Sequence, residues 1–341
     1  MGIHMHKTFS GYDGILFIGD VHSNSRTPSR RLDDYAAASL DKLSQSVKIA
    51  LDRNLLAVCL GDLFHRAREN DLVLLARMME VLRPLRDPLV LLGGSHDRTE
   101  TTFTDVDASV LLQRAGLLQL VDAPGKWGEL EIAGELVNLW ATPAGYEIPD
   151  VVDGAGSVNL MITHHDLDFR GPYPGCHSLK PIENCDLAVN GHMHTPAPRV
   201  IKGRTAWYNP GSITRPSVDL VKHKPVVSVW TPNYPMNLES VPLVVADNVF
   251  DMTGKEAFAA DPRTLKADLP KGLRLSHFAE RLREGQDAME AGRTSDGEIL
   301  IEGLQGYFEL FDTPDNVQRY IKGLLSQVVE DHAKTPAATA A

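Results

Sequence analysis

Apolar residues recur along this chain in two rhythms. Short unbroken runs at 14–19 (Gly-Ile-Leu-Phe-Ile-Gly), 55–60 and 89–92 are too brief for helices and too apolar for strands that face water, so they predict buried strands. Between them the spacing changes to threes and fours. Leu40, Leu43, Val47, Ala50 and Leu51 mark a helix over 32–53. A second helix is predicted over 71–85, closed by Pro84 and Pro88, and a third over 105–115, stopped by Gly116. Strands alternating with helices predict a largely parallel layer.

After Val121 the rhythm changes. The stretch 127–141 reads as antiparallel strand pairs, and 158–163, 187–189, 205–208 and 225–231 as further short strands. Strands that flank both helices and one another predict two stacked sheets, and no internal repeat is visible. Pro232, Pro235 and Pro242 mark a linker near residue 240, which sets a first domain at 1–240. Beyond it, 276–290 and 315–329 read as helices around a short strand at 298–304, a small α+β domain over 245–332. Its last helix carries an apolar stripe of Val317, Tyr320, Ile321, Leu324, Leu325 and Val328. The Ala/Thr-rich tail 333–341 is expected to be disordered.

Composition narrows the function. At 341 residues, 43% hydrophobic and 23% charged, the chain has material for one large core with an appendage. A formal charge of −11 argues against a protein that holds nucleic acid by its overall field. Three cysteines, Cys59, Cys176 and Cys185, make no disulfide framework and suggest a reducing compartment. No apolar stretch is long enough for a membrane span and residues 1–11 resemble no signal peptide, so a cytoplasmic protein with no membrane partner is expected.

The chemistry lies where the apolar runs end. Asp20-Val-His22, Asp62, Ser95-His96-Asp97, His164-His165-Asp166 and Asn190-Gly191-His192-Met193-His194 each follow a predicted buried strand. Ligand pockets in such folds form beyond the carboxyl ends of the strands. Residues two apart on extended backbone face the same way, so Asp20 with His22, and His192 with His194, can each reach one cation. Mixed imidazole and carboxylate donors suit manganese, iron or zinc. Two such ions clamp a phosphoryl group and acidify a water, and no Gly-x-Ser-x-Gly elbow offers a competing nucleophile. His65, His165, His177 and His223 read as surface or supporting histidines, and His4 and His6 as part of a loose terminus.

In this order the motifs resemble the calcineurin-like metallophosphoesterase superfamily over residues 14–231. The resemblance implies an α/β fold: a metallophosphoesterase β-sandwich flanked by helices, four layers in αββα order, with the small α+β C-terminal domain beside it. It implies two divalent metal ions, manganese first, with iron or zinc as alternatives. Asp20, His22, Asp62 and His194 would hold one; Asp62, His164, His192 and Ser95 the other. Ser95 departs from the family, which has asparagine there, and a hydroxyl is the poorer ligand. The resemblance makes His96 the general acid and Asp97 the residue that orients it. Gly61-Asp62-Leu63-Phe64-His65 and Asn209-Pro210-Gly211-Ser212 are similar to segments of SbcD-type DNA-repair exonucleases, and the length fits short, phage-type members. That implies a DNA substrate, an SMC-like ATPase partner docked on the C-terminal helix, and a possible homodimer. Basic residues in the motif loops (Arg26, Arg30, Arg31, Arg66, Arg68, Arg98, Arg199, Lys202, Arg204, Arg215, Lys222 and Lys224) lean the same way. The alternatives are a stand-alone phosphoesterase for small nucleotides or phosphoproteins, and a scaffold with a degraded metal site.

Overall fold

The buried runs become the strands of two stacked sheets in the computed structural model, which describes residues 7–252 apart from Ser29, 155–157, 173–174 and 235–236. The first sheet holds β2 (Gly14–Ile18), β3 (Leu55–Cys59), β4 (Leu89–Leu92) and β5 (Leu118–Val121), all parallel. Two later strands, β12 (Val226–Trp230) and β13 (Glu239–Pro242), extend its β2 edge in antiparallel fashion. The second sheet runs β1 (Lys7–Tyr12), β6 (Gly125–Ile132), β7 (Glu135–Thr142), β8 (Val158–His164), β9 (Leu187–Gly191), β11 (Thr205–Asn209) and β10 (Ala197–Lys202) in spatial order. Its central strands β7, β8, β9 and β11 are parallel.

Alternate residues of each strand serve different layers, as strand geometry requires. Leu16, Ile18, Leu55, Ala57, Cys59, Leu89 and Leu91 pack under the helices α1 (Tyr35–Asp52), α2 (Leu72–Leu82) and α3 (Ala108–Arg114). Ile15, Phe17, Leu56, Val58, Val90 and Leu92 point the other way and meet Val137, Leu139, Leu160, Ile162, Leu187 and Val189 of the second sheet. The outer face of that sheet, with Met161, Ala188 and Trp207, is covered by Ile148, Val152, Leu167, Phe169, Leu179 and Ile182. Among the described residues this outermost layer is therefore loop rather than helix, and the fold is mixed α/β with two sheets and few helices.

Where elements differ from the sequence expectation, local hydrogen bonds explain it. The first helix begins at Tyr35 rather than 32 because Asp34 caps it, accepting from the Ala37 N–H, while the Leu32 N–H is held by the Val249 carbonyl. Asp71 likewise caps α2 through the Leu74 N–H. Edge strands β1, β10 and β13 are additions to the expected set: their sequences are half polar, as edge strands tolerate. The stretch read as linker thus contains β13, and Leu243, Val249 and Phe250 beyond it are buried.

The chain divides into two compact units, Met1–Thr253 and Gly254–Ala341. The predicted elements at 276–290, 298–304 and 315–329 and the tail 333–341 lie outside the described residues. Among the described residues no helix is long and apolar enough to cross a membrane.

Candidate metal centre

All five motifs reach one end of the sandwich because they leave the carboxyl ends of parallel strands in both sheets. Asp20 and His22 follow β2, Asp62 follows β3, and Ser95, His96 and Asp97 follow β4. His164 ends β8, and His192 and His194 follow β9. Buried Asn190 laces the last two strands: its Oδ1 accepts from the Thr163 hydroxyl (2.8 Å) and the His165 N–H (3.0 Å), and its amide donates to the His165 carbonyl (2.9 Å).

The backbone turns sharply at three of these residues. His22 (φ 48°), Asp62 (φ 51°) and His192 (φ 72°) lie in the left-handed region, which costs of order 1–3 kcal/mol for each non-glycine residue. Strain of this kind persists where the surroundings hold a side chain to one aim. The packing leaves no room for alternatives. A Cβ on Gly94 would lie 2.2 Å from Asp62 Oδ1, and one on Gly61 (φ 110°) would lie 2.3 Å from His164 Nδ1. Gly94→Ala is therefore expected to displace Asp62, lower thermal stability by about 1–3 kcal/mol and weaken metal binding. Wild-type manganese affinity in that variant, read by titration, would show that Asp62 does not need its observed position.

Two groups that include a carboxylate have ligand atoms within 4.8 Å of one another: Asp20, His22 and His194, and Asp62, His164 and His192. The Asp62 carboxylate joins them. Its Oδ2 lies 3.3 Å from His164 Nε2 and 3.6 Å from His22 Nε2, and 3.4 Å from the Ser95 hydroxyl. Its Oδ1 accepts the His96 N–H at 2.8 Å. His22 Nε2 and His194 Nε2 are 2.8 Å apart, and Asp20 Oδ2 is 3.8 Å from His194 Nε2.

These donors fit divalent cations. Asp20 Oδ2 and His164 Nε2 are buried without a hydrogen-bond partner, a costly state for a protein interior. His164 bonds the Leu60 carbonyl through Nδ1 (2.8 Å), which turns Nε2 towards Asp62 as the atom that would ligate a cation once it gives up its proton, as in a metal-ligating histidine. Ser95 is exposed, and its hydroxyl sits beside Asp62 Oδ2.

Proton affinities reflect the crowding. Burial pushes Asp20 up to about 7. Burial works against charge on His164, but the Asp62 and Asp20 carboxylates outweigh it and raise the imidazole to about 9. The same pairing, against burial, holds Asp62 well below the carboxylate range. Burial drives His22 well down and lowers His192 and His194. The sign for stability follows from proton uptake. A raised group binds more protons when folded, so its contribution is lost as pH rises towards its folded pKa. For Asp20 that loss is complete near 7; for His164 it runs from its unfolded 6.5 to about 9. The lowered histidines act only below their unfolded value. The melting temperature of chelator-treated protein is thus expected to fall between about pH 7 and 9, and manganese to remove the decline. A metal-free melting curve that stays level or rises across this window would mean His164 is not held protonated by Asp62.

Several residues stand differently from the sequence reading. The resemblance makes Asp97 the orienter of His96, but the structure gives its buried carboxylate another task. It accepts the N–H groups of Asp62 (2.7 Å), Leu63 (2.9 Å) and Gly94 (3.1 Å), and so clamps the loops after β3 and β4 together. His96 is exposed, and its Nδ1 is held by the His65 carbonyl at 2.9 Å. His65, read as a surface histidine, stacks on the His96 ring (centroids 5.3 Å apart, 23° between planes). The signal for it in the sequence is its place three residues after Asp62. His165 is buried, with Nε2 at 2.6 Å from the Tyr146 carbonyl, and the His223 ring bonds the Ser212 carbonyl instead of facing solvent. The basic loops are also less open than their sequence suggests. Arg31 pairs with Asp33, Arg98 donates to the Thr101 and Ala144 carbonyls, Arg204 pairs with Asp186, and Arg215 donates to the Ala246 carbonyl. Arg26, Arg66 and Arg68 are exposed.

The profile of the calcineurin-like phosphoesterase family matches residues 14–196, just over half of the chain. No curated protein sequence matches the chain. Solved structures with a related outline include a hypothetical protein from Thermus thermophilus, 15% identical over 69% of this chain and 99% of that one, with a TM-score of 0.39. A novel archaeal phosphodiesterase is 12% identical over 67% and 99%, with a TM-score of 0.34. The 5'-nucleotidase of Candida albicans is 12% identical over 77% and 57%, with a TM-score of 0.36.

Proposed function

Since the chain belongs to the calcineurin-like phosphoesterase family, we propose that it is a metal-dependent phosphodiesterase that works as a DNA nuclease. The observation that carries the hydrolytic reading is the convergence of Asp20, His22, Asp62, His164, His192 and His194, from distant segments, into two adjoining ligand groups. Asp20, His22, Asp62 and His194 would hold one ion, and Asp62, His164, His192 and Ser95 the other. Bound divalent cations supply charge neutralisation of the phosphate oxygens and an acidified water. The donor set favours manganese, iron or zinc.

The chain's own residues do the rest. Asp62 faces both groups, so its charge serves both. Asp97 fixes the backbone that aims Asp62. The Leu60 carbonyl sets the His164 tautomer. The His65 carbonyl fixes His96 Nδ1–H, which leaves His96 Nε2, at the exposed mouth of the site, to give a proton to the departing oxygen. Such a general acid contributes roughly 10²–10⁴ in rate.

DNA is preferred over small nucleotides for the Gly61–His65 segment and for exposed Arg26, Arg66 and Arg68, which suit a phosphate backbone. The SMC-like ATPase partner, the homodimer and the cytoplasmic location belong to the same reading. The test is hydrolysis by the purified full chain with manganese. Labelled single- and double-stranded DNA, bis-p-nitrophenyl phosphate, cyclic nucleotides and phosphopeptides are offered in parallel. Turnover of DNA that stops on chelation is expected. Turnover of small substrates alone would favour the stand-alone phosphoesterase, and activity surviving exhaustive chelation would overturn the mechanism.

A further inference from the structure

His22 belongs to two ligand groups. One is the Asp20, His22 and His194 set; the other is His22 with His65 and His96, whose ligand atoms also lie within 4.8 Å of one another. The second group contains no carboxylate. Its rings form a nest: His22 meets His96 edge-on at 4.9 Å and His65 at 5.5 Å, and His65 stacks on His96 at 5.3 Å. Two further observations prepare these imidazoles as donors. His96 has Nδ1 tied to the His65 carbonyl, which leaves its Nε2 lone pair available. His22 is 1% exposed, and its Nδ1 is buried with no hydrogen-bond partner.

The geometry points to a third, inhibitory cation site at His22, His65 and His96, selective for zinc. Three neutral imidazoles with an open fourth position form a well-known zinc environment, with Zn–N of about 2.0–2.1 Å. Tetrahedral angles at that length put the nitrogens about 3.4 Å apart, a closure that exposed His96 and half-buried His65 can make by small side-chain rotations. All-nitrogen donors favour zinc over manganese, whereas the carboxylate-bearing groups accept manganese. Occupancy has two consequences. A neutral His22 ring has one lone pair, because its other nitrogen carries the proton, so it cannot serve both groups at once, and a zinc in the nest costs the Asp20, His22 and His194 group its cation. His96 Nε2 becomes a ligand and has no proton to give. The inhibition rests on the phosphodiesterase reading above; the zinc site itself does not.

The experiment titrates zinc into the manganese-loaded full chain. Bound metals are measured by mass spectrometry and bis-p-nitrophenyl phosphate hydrolysis is followed alongside. Wild type is expected to take up one zinc, release one manganese and lose activity in step. His65→Ala and, separately, His65→Gln are expected to weaken this exchange at least about tenfold. Folding of both variants is checked by their manganese content before zinc is added, and His96→Asn provides a further variant that should lose the same zinc. Zinc that exchanges with unchanged affinity in the His65 variants has gone directly into the Asp20 group, and this would overturn the proposal, as would absence of zinc uptake by wild type. A wild type with no hydrolytic activity that still takes up zinc in a His65-dependent way would sink the phosphodiesterase reading and leave the site standing.

Discussion

Asp62→Asn will abolish metal binding while the chain stays folded. The substitution is nearly isosteric, and an amide oxygen can still accept the His96 N–H that Asp62 Oδ1 accepts at 2.8 Å. What disappears is the charge. Asp62 is 1% exposed and faces His164 at 3.3 Å and His22 at 3.6 Å, so it is the anion around which both ligand groups are built. Loss of a supporting residue around a metal site typically costs 10–100-fold in affinity or activity, and loss of a carboxylate shared by both groups is expected to exceed about 100-fold. The metal-free variant will suffer as well. His164 is raised to about 9 chiefly by this carboxylate against its own burial, so without it a buried imidazolium keeps only the weaker pull of Asp20 and the ring gives up its proton more readily. Manganese titration and metal analysis read the outcome. A variant that keeps wild-type manganese content and turnover would remove Asp62 from the centre.

The second large effect concerns His96. His96→Asn is expected to lower turnover by about 10²–10⁴ and to leave metal content unchanged, because the His96 side chain belongs to neither carboxylate-bearing group. The loss is expected to depend on the leaving group. A p-nitrophenolate departs with little help, whereas the alkoxide of a nucleotide sugar needs a proton as the bond breaks. The ratio of mutant to wild-type turnover should therefore be smaller on an oligonucleotide than on bis-p-nitrophenyl phosphate. Equal losses on both substrates, or activity that falls in step with metal content, would show that His96 is not the acid.

The central strands and the places of the candidate ligand residues at their ends are legible in the sequence because both depend on local pattern. The runs at 14–19, 55–60 and 89–92 are buried on both faces, so their sequences are apolar without alternation. A strand of that kind ends where the first polar residue must find water, a metal or a hydrogen bond. Asp20, Asp62 and the residues from Ser95 to Asp97 stand at those ends. Other features depend on contacts between distant segments and leave little trace locally. Edge strands β1, β10 and β13 have one free edge and a half-polar sequence, and nothing in residues 7–12 announces a parallel pairing with 128–132. Asp97 follows His96 in sequence, yet its carboxylate is used by N–H groups from the loop after β3, more than thirty residues away. His65 looks like a surface histidine because a lone imidazole carries no periodicity; only the folded loops put it against His96 and near His22. Charge misleads for a related reason. Arg31, Arg98 and Arg215 read as a basic rim, but each is spent on a carboxylate or carbonyl of its own fold, whereas Arg204 pairs with Asp186 and stays exposed.

Diffraction from crystals grown with manganese, recorded at the manganese absorption edge, tests the metal centre most directly. Two anomalous peaks are predicted, one in contact with Asp20, His22 and His194 and the other with Asp62, His164 and His192. Crystals in which those six side chains hold no peak at saturating manganese, or in which the peaks lie on other residues, would contradict it.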